Sequence, residues 1–344
     1  MIKDGQRKSR GFSQIFSKDI AIDLGTANTL IWVKGRGIVV NEPSIVAKTI
    51  DTNKVIAVGN EAKEMLGKTH HNLTTVRPLR DGVIADFEMA DGMIQGFIRK
   101  MNLSRIARPR MVICIPSGIT PVEQRAVRES AERANAREVF LIEEPVAAAI
   151  GIGLDISQPV GNMIVDIGGG TTEIAVIALN GIVAKEAIRV GGDEQDRAIM
   201  NWFHDEHKLD IGYATAERIK IEVGTGYGSK LVSVNVKGRD MVSGIPKTMV
   251  IPPEEIRKAL WETLQQIIGA MKRALERTPA ELSADILDRG IILTGGGALL
   301  KGFDEILREE TNLPVHVAEE PLLSVVRGTG MVLEDLKHYA SIMF

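Results

Sequence analysis

One segment, made of an apolar run, a polar turn and a second apolar run, occurs twice in the chain and constrains the fold more than any other feature. Residues 20–33 align without gaps on residues 163–176, so that Asp23 matches Asp166. Because a turn rich in Gly, Thr and Asn separates the two apolar runs, each copy predicts a β-hairpin with an acid at the end of its first strand. A further strand is expected after each hairpin, at 37–40 and 182–188.

Helical and strand patterns alternate after the hairpins. Pro121 opens a helical pattern over 122–135, a short strand is predicted at 139–142, and another at 291–293. A strand-rich start followed by helical crossovers, present twice, predicts two similar α/β domains that face each other across a cleft. We expect ligands to bind in that cleft.

The domain organisation predicted from this repeat has a tail and two interrupted domains. The tail covers residues 1–17, domain I covers 18–150 plus about 322–344, and domain II covers 151–321. Less regular stretches at about 41–79 and about 189–252 are interpreted as a small subdomain inserted into each domain. Pro145 begins an Ala-rich helix that we expect to cross between the domains as a hinge, since small side chains allow helices to approach closely.

Composition excludes several classes of protein. Hydrophobic residues make up 44% and charged residues 25%, which is typical of a globular protein, and no apolar run approaches the ~20 residues of a membrane span. A net charge of -3 gives no electrostatic reason to bind nucleic acid. With a single cysteine, Cys114, no intramolecular disulfide can form, and a cytoplasmic location is expected. No signal peptide is expected at the N-terminus.

The two hairpin turns are the first candidate binding site. Their backbone N–H groups and hydroxyls can surround a phosphate chain from opposite sides, because glycine permits close approach. Asp23 and Asp166 could hold a hydrated Mg²⁺, which needs only one or two carboxylates. One such turn alone is common in β-hairpins that bind nothing, but two aligned copies favour a nucleotide triphosphate site. The residues proposed for the phosphates are Gly25, Thr26, Ala27, Asn28, Gly168, Gly169, Gly170 and Thr171.

Two further segments are candidates for the nucleoside. Thr294 to Leu300 follows a predicted strand, where backbone can pass close beneath a nucleotide, although glycine could serve turn geometry alone. Glu217 and Lys220 lie three apart in a helical pattern and could reach ribose and adenine, or form a solvent-exposed ion pair. The residues proposed for this side are Glu217, Arg218, Ile219, Lys220, Gly295, Gly296, Gly297 and Ala298.

Glu144 is the candidate catalytic acid or base. It stands between a predicted strand and the helix begun by Pro145, which places an acid at the cleft. Glu144 could orient or deprotonate a water that attacks the γ-phosphate, helped by the Thr171 hydroxyl. The alternative role is an acid that interacts with the helix dipole.

Two basic and apolar segments are candidates for membrane contact. In the tail, Phe12, Ile15 and Phe16 have helical spacing among basic residues, a pattern suited to an anionic membrane surface. In the second segment Met101, Leu103 and Ile106 alternate with basic residues. A tail that packs on its own domain and an ordinary partly buried loop are the alternatives.

The paired hairpins and the Thr294 segment resemble the two phosphate motifs and the adenosine motif of the superfamily that contains actin, the sugar kinases and the heat-shock ATPases. Within it, five segments resemble the bacterial cell-shape actins of the MreB family in order and spacing. The segments are Asn41-Glu-Pro-Ser44, Arg80-Asp-Gly-Val-Ile-Ala-Asp-Phe87, Ile142-Glu-Glu-Pro145, Val190-Gly-Gly-Asp193 and Ala216-Glu-Arg-Ile-Lys220.

This resemblance implies an actin-like ATPase fold of two ribonuclease H-like α/β domains around a nucleotide cleft. It also implies ATP and Mg²⁺ as ligands and slow ATP hydrolysis coupled to polymerisation. Filaments of paired protofilaments would lie at the inner face of the cell membrane. There they would guide the peptidoglycan elongation machinery and its membrane anchor proteins, and so maintain rod shape.

Other members of the superfamily are the competing interpretations. A sugar-type kinase or phosphatase would require a larger insertion with an acid for the acceptor hydroxyl, and none is visible. A heat-shock chaperone would require a peptide-binding domain after the last motif, where we expect no room. A regulatory ATPase that does not polymerise stays open, because filament contacts have no local sequence signature.

Overall fold

Two five-stranded sheets of equivalent topology organise the molecule. The computed structural model describes residues 19–101, 108–227 and 232–344. The first sheet, in spatial order, contains β10 (Glu138–Glu143), β9 (Arg110–Ile115), β1 (Ile20–Leu24), β2 (Asn28–Val33) and β3 (Gly37–Pro43). The second contains β13 (Gly181–Ile188), β12 (Thr172–Ala178), β11 (Asn162–Ile167), β17 (Ile291–Thr294) and β18 (Val315–Val317).

The repeat seen in the sequence is therefore a repeat of structure. In each sheet the first two strands form an antiparallel hairpin, and a third strand adds to it antiparallel. Two later strands add parallel on the other side of the first strand. Asp23 lies opposite Cys114 of the neighbouring parallel strand, and Asp166 lies opposite Thr294 in the same way. The two acids thus occupy corresponding points of the two sheets.

Smaller elements lie between these strands. In the first half they are β4 (Val46–Thr49), β5 (Val55–Val58), α1 (Asn60–Glu64), β6 (Leu73–Val76), and the hairpin β7 (Leu79–Arg80) and β8 (Val83–Ile84). In the second half they are α5 (Gly192–His207), β14 (Leu209–Asp210), α6 (Tyr213–Val223), β15 (Val234–Asp240) and β16 (Pro246–Ile251). Each set includes a three-stranded sheet, β5-β4-β6 and β14-β15-β16. The predicted domain and subdomain boundaries remain predictions.

The remaining helices cover the large sheets. They are α2 (Phe87–Lys100), α3 (Pro121–Arg133), α4 (Glu144–Gly151), α7 (Pro253–Glu276), α8 (Ala280–Arg289), α9 (Phe303–Thr311) and α10 (Ser324–Glu334). Buried side chains of α2 and α3 pack on one face of the first sheet, and those of α7 and α9 pack on one face of the second. Every residue of β11 and β12 is buried, as expected of strands covered on both faces.

The helices α4 and α10 form a layer shared by both sheets. Each follows the last strand of its sheet, and their apolar residues belong to one buried cluster with Ala21 and Val112 of the first sheet and Ile164 and Ala175 of the second. The crossing is close enough that a Cβ on Gly328 would lie 1.7 Å from the carbonyl oxygen of Ala147. This backbone contact agrees with the expectation that small residues let the Ala-rich helix approach a neighbour.

We predict that Gly328→Ala lowers the free energy of unfolding by about 1 to 3 kcal/mol, because the new methyl group overlaps backbone that cannot move aside. Gly269→Ala on α7 is the matched control. Its Cβ would meet only a side-chain nitrogen of Arg273 at 3.5 Å, so this change should stabilise the helix slightly. Denaturant unfolding of both variants checks the prediction, and equal stability of Gly328→Ala and the wild type would contradict it.

Candidate functional site

The two hairpin turns meet at one cavity between the halves of the molecule. The cavity has a volume of about 490 Å³ and is lined by residues 23–28 of the first hairpin and by Asp166 and residues 168–171 of the second. A Cβ on Gly169 would lie 2.6 Å from the Cβ of Ala27, so only glycine fits where the turns face each other. This volume lies within the range of small-molecule and cofactor sites. The structure therefore brings together all eight residues proposed for the phosphates.

Asp23 and Asp166 both line this cavity. Burial raises the pKa of Asp23 to about 7. Burial, followed by the negative charge of Asp23, raises the pKa of Asp166 to about 7 as well. Two uncompensated carboxylates of this kind favour a cation between or beside them. The donor set is hard oxygen, which Mg²⁺ and Ca²⁺ prefer.

A cation here would need ligands beyond the protein. Among the described residues no group of three or more His, Cys, Asp or Glu side chains is arranged to hold a metal ion. Mg²⁺ suits such an incomplete set, because it keeps several waters and is often bound by one or two carboxylates plus phosphate oxygens. The structure thus fits Mg²⁺ that arrives with a phosphate ligand better than a metal that the protein holds alone.

Glu144 begins α4 directly after β10 and also lines the cavity. Burial raises the pKa of Glu144 well above its usual range, and the charges of Glu173, Asp166 and Asp23 raise it further. A carboxyl group with a raised pKa is suited to accept a proton near neutral pH. Thr171 lies at the end of the second turn and lines the same cavity. Both residues proposed for catalysis are therefore at the site.

Glu173 is a buried acid that the sequence analysis did not single out. Its side chain is 1% exposed, and both of its carboxylate oxygens accept the backbone N–H of Ser117, at 3.0 and 3.2 Å. In the β11/β12 hairpin it lies directly opposite Asp166, so both side chains are on the same face. The available signal was an acid within the otherwise apolar run of β12.

The Thr294 segment forms another wall of the cavity. Strand β17 ends at Thr294, Gly295 has a φ of +77°, and a 3-10 helix spans Gly296–Leu299. Gly295, Gly296 and Gly297 line the cavity together with apolar residues that include Leu299 and Leu322. Ala298 is instead buried in the hydrophobic core of the second half. This wall can contact a flat apolar group.

Helix α6 contributes two of its four proposed residues. Glu217 and Lys220 line the cavity, but they do not pair with each other. Glu217 pairs with Lys63 at 3.3 Å, and the ammonium of Lys220 lies 2.9 Å from Asp196. The structure does not bring Arg218 and Ile219 to the cavity. Arg218 donates hydrogen bonds to Glu222 and to the carbonyl of Asn235, and Ile219 is fully buried in the core.

The cavity lining includes three residues that the sequence analysis missed as site residues. They are Arg77, Asp193 and Tyr213. Asp193 belongs to a segment quoted for the family resemblance, but its side-chain contact with Arg77, 116 positions away, is visible only in the fold. No local pattern in the sequence links them.

The membrane candidates are mostly beyond the described residues. Phe12, Ile15, Phe16, Leu103 and Ile106 lie outside the described ranges. Met101 is described, and it packs partly buried against the core of the first half. Across the part of the chain that the structure covers, no helix combines the length and apolar character needed to cross a bilayer.

Comparison with known proteins agrees with the fold. The family model described as MreB/Mbl protein matches residues 17–341. The chain is 52% identical over 324 residues to the cell shape-determining protein Mbl of Bacillus subtilis, covering 94% of this chain and 97% of the relative. It is 51% identical over 340 residues to the cell shape-determining protein MreB of Escherichia coli, covering 97% of this chain and 98% of the relative.

Solved structures of similar proteins support the same fold. The crystal structure of MreB5 of Spiroplasma citri bound to AMPPNP has a TM-score of 0.90 at 38% identity and covers 94% of this chain and 98% of that one. The MamK double helical filament, at 20% identity and a TM-score of 0.78, supports the fold alone. The predicted actin-like fold and the predicted family resemblance are confirmed. The chain belongs to the MreB/Mbl family.

Proposed function

We propose that this protein is a cytoskeletal ATPase that maintains rod cell shape through membrane-associated filaments. The observation that carries the proposal is the single cavity on which two equivalent turns and two equivalent acids converge. Relatives that are about half identical over nearly the whole chain are named as cell shape-determining proteins. The Spiroplasma citri relative was crystallised with AMPPNP and with ADP, which supports an adenine nucleotide in the corresponding cavity here.

Within this proposal the two turns bind the phosphates. Their backbone N–H groups and the hydroxyls of Thr26 and Thr171 donate hydrogen bonds to phosphate oxygens. Asp23 and Asp166 would hold Mg²⁺ through water molecules. When bound, that cation supplies positive charge that stabilises the phosphates as negative charge develops on them. The glycines of the Thr294 segment, with Glu217 and Lys220, contact the nucleoside.

Glu144 provides the base in this proposal. Its position at the first turn of α4 aims the carboxylate into the cavity, and its raised pKa suits transient proton uptake from an attacking water. The Thr171 hydroxyl orients the same water. The family resemblance, and not the geometry, implies that turnover is slow and coupled to assembly.

The proposed partners follow from the family. They are other copies of this chain in filaments of paired protofilaments, the inner face of the cell membrane, and the cell-wall elongation machinery with its membrane anchor proteins. The competing function, a sugar-type kinase or phosphatase, uses the same kind of phosphate site. The names of the relatives disfavour it.

Assembly is the direct test of the proposed function. We expect light scattering and pelleting to increase on addition of Mg-ATP, and the protein to sediment with anionic liposomes. Sugar-dependent release of ADP without assembly would instead indicate the kinase. Removing residues 1–16 tests the tail, and Leu103→Ser with Ile106→Ser tests the other segment. Unchanged liposome binding in both variants would overturn the membrane part of the proposal.

We predict that Asp166→Asn weakens Mg-ATP binding by at least about tenfold, because the neutral amide removes one of two charges that face the cation. Isothermal titration with and without Mg²⁺ measures the effect, which should be confined to the Mg²⁺-containing titration. Asp210→Asn is the control, since Asp210 is an exposed acid paired with Arg239. Equal Mg-ATP affinity of Asp166→Asn and wild type would contradict the metal assignment.

We predict that Glu144→Gln slows phosphate release by about a hundredfold or more while nucleotide binding and filament pelleting persist, because the amide cannot accept the proton. Glu143→Gln changes the adjacent acid, which pairs with Lys185 at 3.0 Å, and should leave turnover near the wild-type rate. A phosphate-release assay compares the two. Wild-type turnover in Glu144→Gln would remove this residue from the mechanism.

A further inference from the structure

Two ion pairs join the halves of the molecule along the lining of the cavity. Arg77, just after β6, pairs with Asp193 at 2.8 Å, and Lys63 of α1 pairs with Glu217 of α6 at 3.3 Å. In both pairs the base comes from the first half and the acid from the second. The side chains of Arg77 and Asp193 are only 21% and 16% exposed, so this pair is less screened by water than the Lys63 pair.

Arg77 is held from two directions. Its guanidinium carbon lies 4.4 Å from the ring centroid of Tyr213, which is a cation-π contact. The Tyr213 hydroxyl donates a hydrogen bond to the same oxygen of Asp193 that Arg77 contacts. Arg77, Asp193 and Tyr213 thus form one connected unit, which we call the cleft clasp.

The acid of the clasp is fixed to the second phosphate turn. The backbone N–H of Asp193 donates to the carbonyl of Gly169 at 2.7 Å, and the N–H of Gly192 donates to the carbonyl of Gly168 at 3.0 Å. Lys220 in turn donates to the carbonyl of Gly192 at 2.7 Å. A change in the backbone of this turn would therefore move Asp193.

The base of the clasp is close in sequence to a contact with the first turn. The hairpin β7/β8 begins two residues after Arg77, and the N–H of Gly82 in it donates to the Thr26 hydroxyl at 3.2 Å. The same hairpin also approaches the second turn, since a Cβ on Gly170 would lie 2.9 Å from the nitrogen of Asp81. Both ends of the clasp are thus anchored near a phosphate turn.

We propose that the cleft clasp retains the bound nucleotide by holding the two halves of the molecule together over it. This inference rests on the proposed nucleotide function. Arg77, Asp193 and Tyr213 act as positioning residues. Moving the two halves apart requires the Arg77 and Asp193 charges to separate, which adds to the barrier for release because each loses a charge-assisted hydrogen bond. The exposed Lys63 pair contributes less.

The sign of one substitution distinguishes the clasp from direct phosphate contact. If Arg77 and Asp193 acted only through their charges on an anionic ligand, Asp193→Asn would remove repulsion and slow release. The clasp predicts the opposite, because the amide holds Arg77 less strongly. We expect Arg77→Gln and Asp193→Asn each to speed release by about tenfold, and the double variant to be no faster than the faster single variant.

The experiment is stopped-flow release of a fluorescent ADP analogue in Mg²⁺, chased with unlabelled ADP, at protein concentrations below assembly. Arg239→Gln is the matched control, since Arg239 forms an exposed ion pair with Asp210 away from the cavity. Tyr213→Phe keeps the ring but loses the hydroxyl, and we expect it to speed release by a few-fold. Unfolding midpoints of all variants separate a changed clasp from a loosened fold.

Each outcome has one meaning. Failure of the wild type to bind the analogue would overturn the proposed nucleotide function itself. Normal binding with unchanged or slower release in Asp193→Asn would overturn the clasp alone. Single effects that multiply in the double variant would show that the two residues act independently, which also contradicts the clasp.

Discussion

The backbone contact between α4 and α10 sets the distance between the two large sheets. Since Gly328 leaves no room for a side chain above Ala147, the two helices pack as one thin layer, and both sheets rest on it. Equivalent strands then end at the same side of the molecule. The turns that follow β1 and β11 meet there, close enough for Gly169 to face Ala27. The geometry of the site is thus a consequence of how closely two helices cross.

Charge gives the cavity its preference for ligands. Burial raises the pKa of Asp23, Asp166 and Glu173 to about 7, and it also raises that of Glu144 well above its usual range. The same space is bordered by turns whose N–H groups favour an anion. A ligand that brings a cation together with phosphates suits both the acids and the turns. A cation alone would leave the turns without an anion, and phosphates alone would leave the acids without a cation. The combination of buried acids and anion-binding turns indicates a metal-nucleotide complex more strongly than either turn does alone.

The sequence predicted what depends on short stretches of chain. It was possible to predict the hairpins, the acids at their strand ends and the strand-to-helix position of Glu144. Residue alternation and turn composition are local properties of the sequence. The contact of Arg77 with Asp193 and that of Glu173 with Ser117 could not be predicted, because each joins residues far apart in sequence.

Helix α6 shows the same limit in another form. Its sequence pattern is helical, but which face meets the cavity depends on packing against α5, α7 and β15. That packing buries Ile219 and turns Arg218 outward, while Glu217 and Lys220 reach the cavity. Periodicity could identify the helix but not its rotation, and so it could not separate these four neighbours.

The layer formed by α4 and α10 also bears on what a fragment of this protein could do. Buried residues of both sheets share one apolar cluster with these helices, and α10 returns to the first sheet after the chain has completed the second. The apolar surface between the two sheets is therefore buried by residues from both halves. If the chain were cut between the repeats, each fragment would expose part of this apolar surface to water. Because the cluster is shared, we expect neither repeat to fold as a unit without the other.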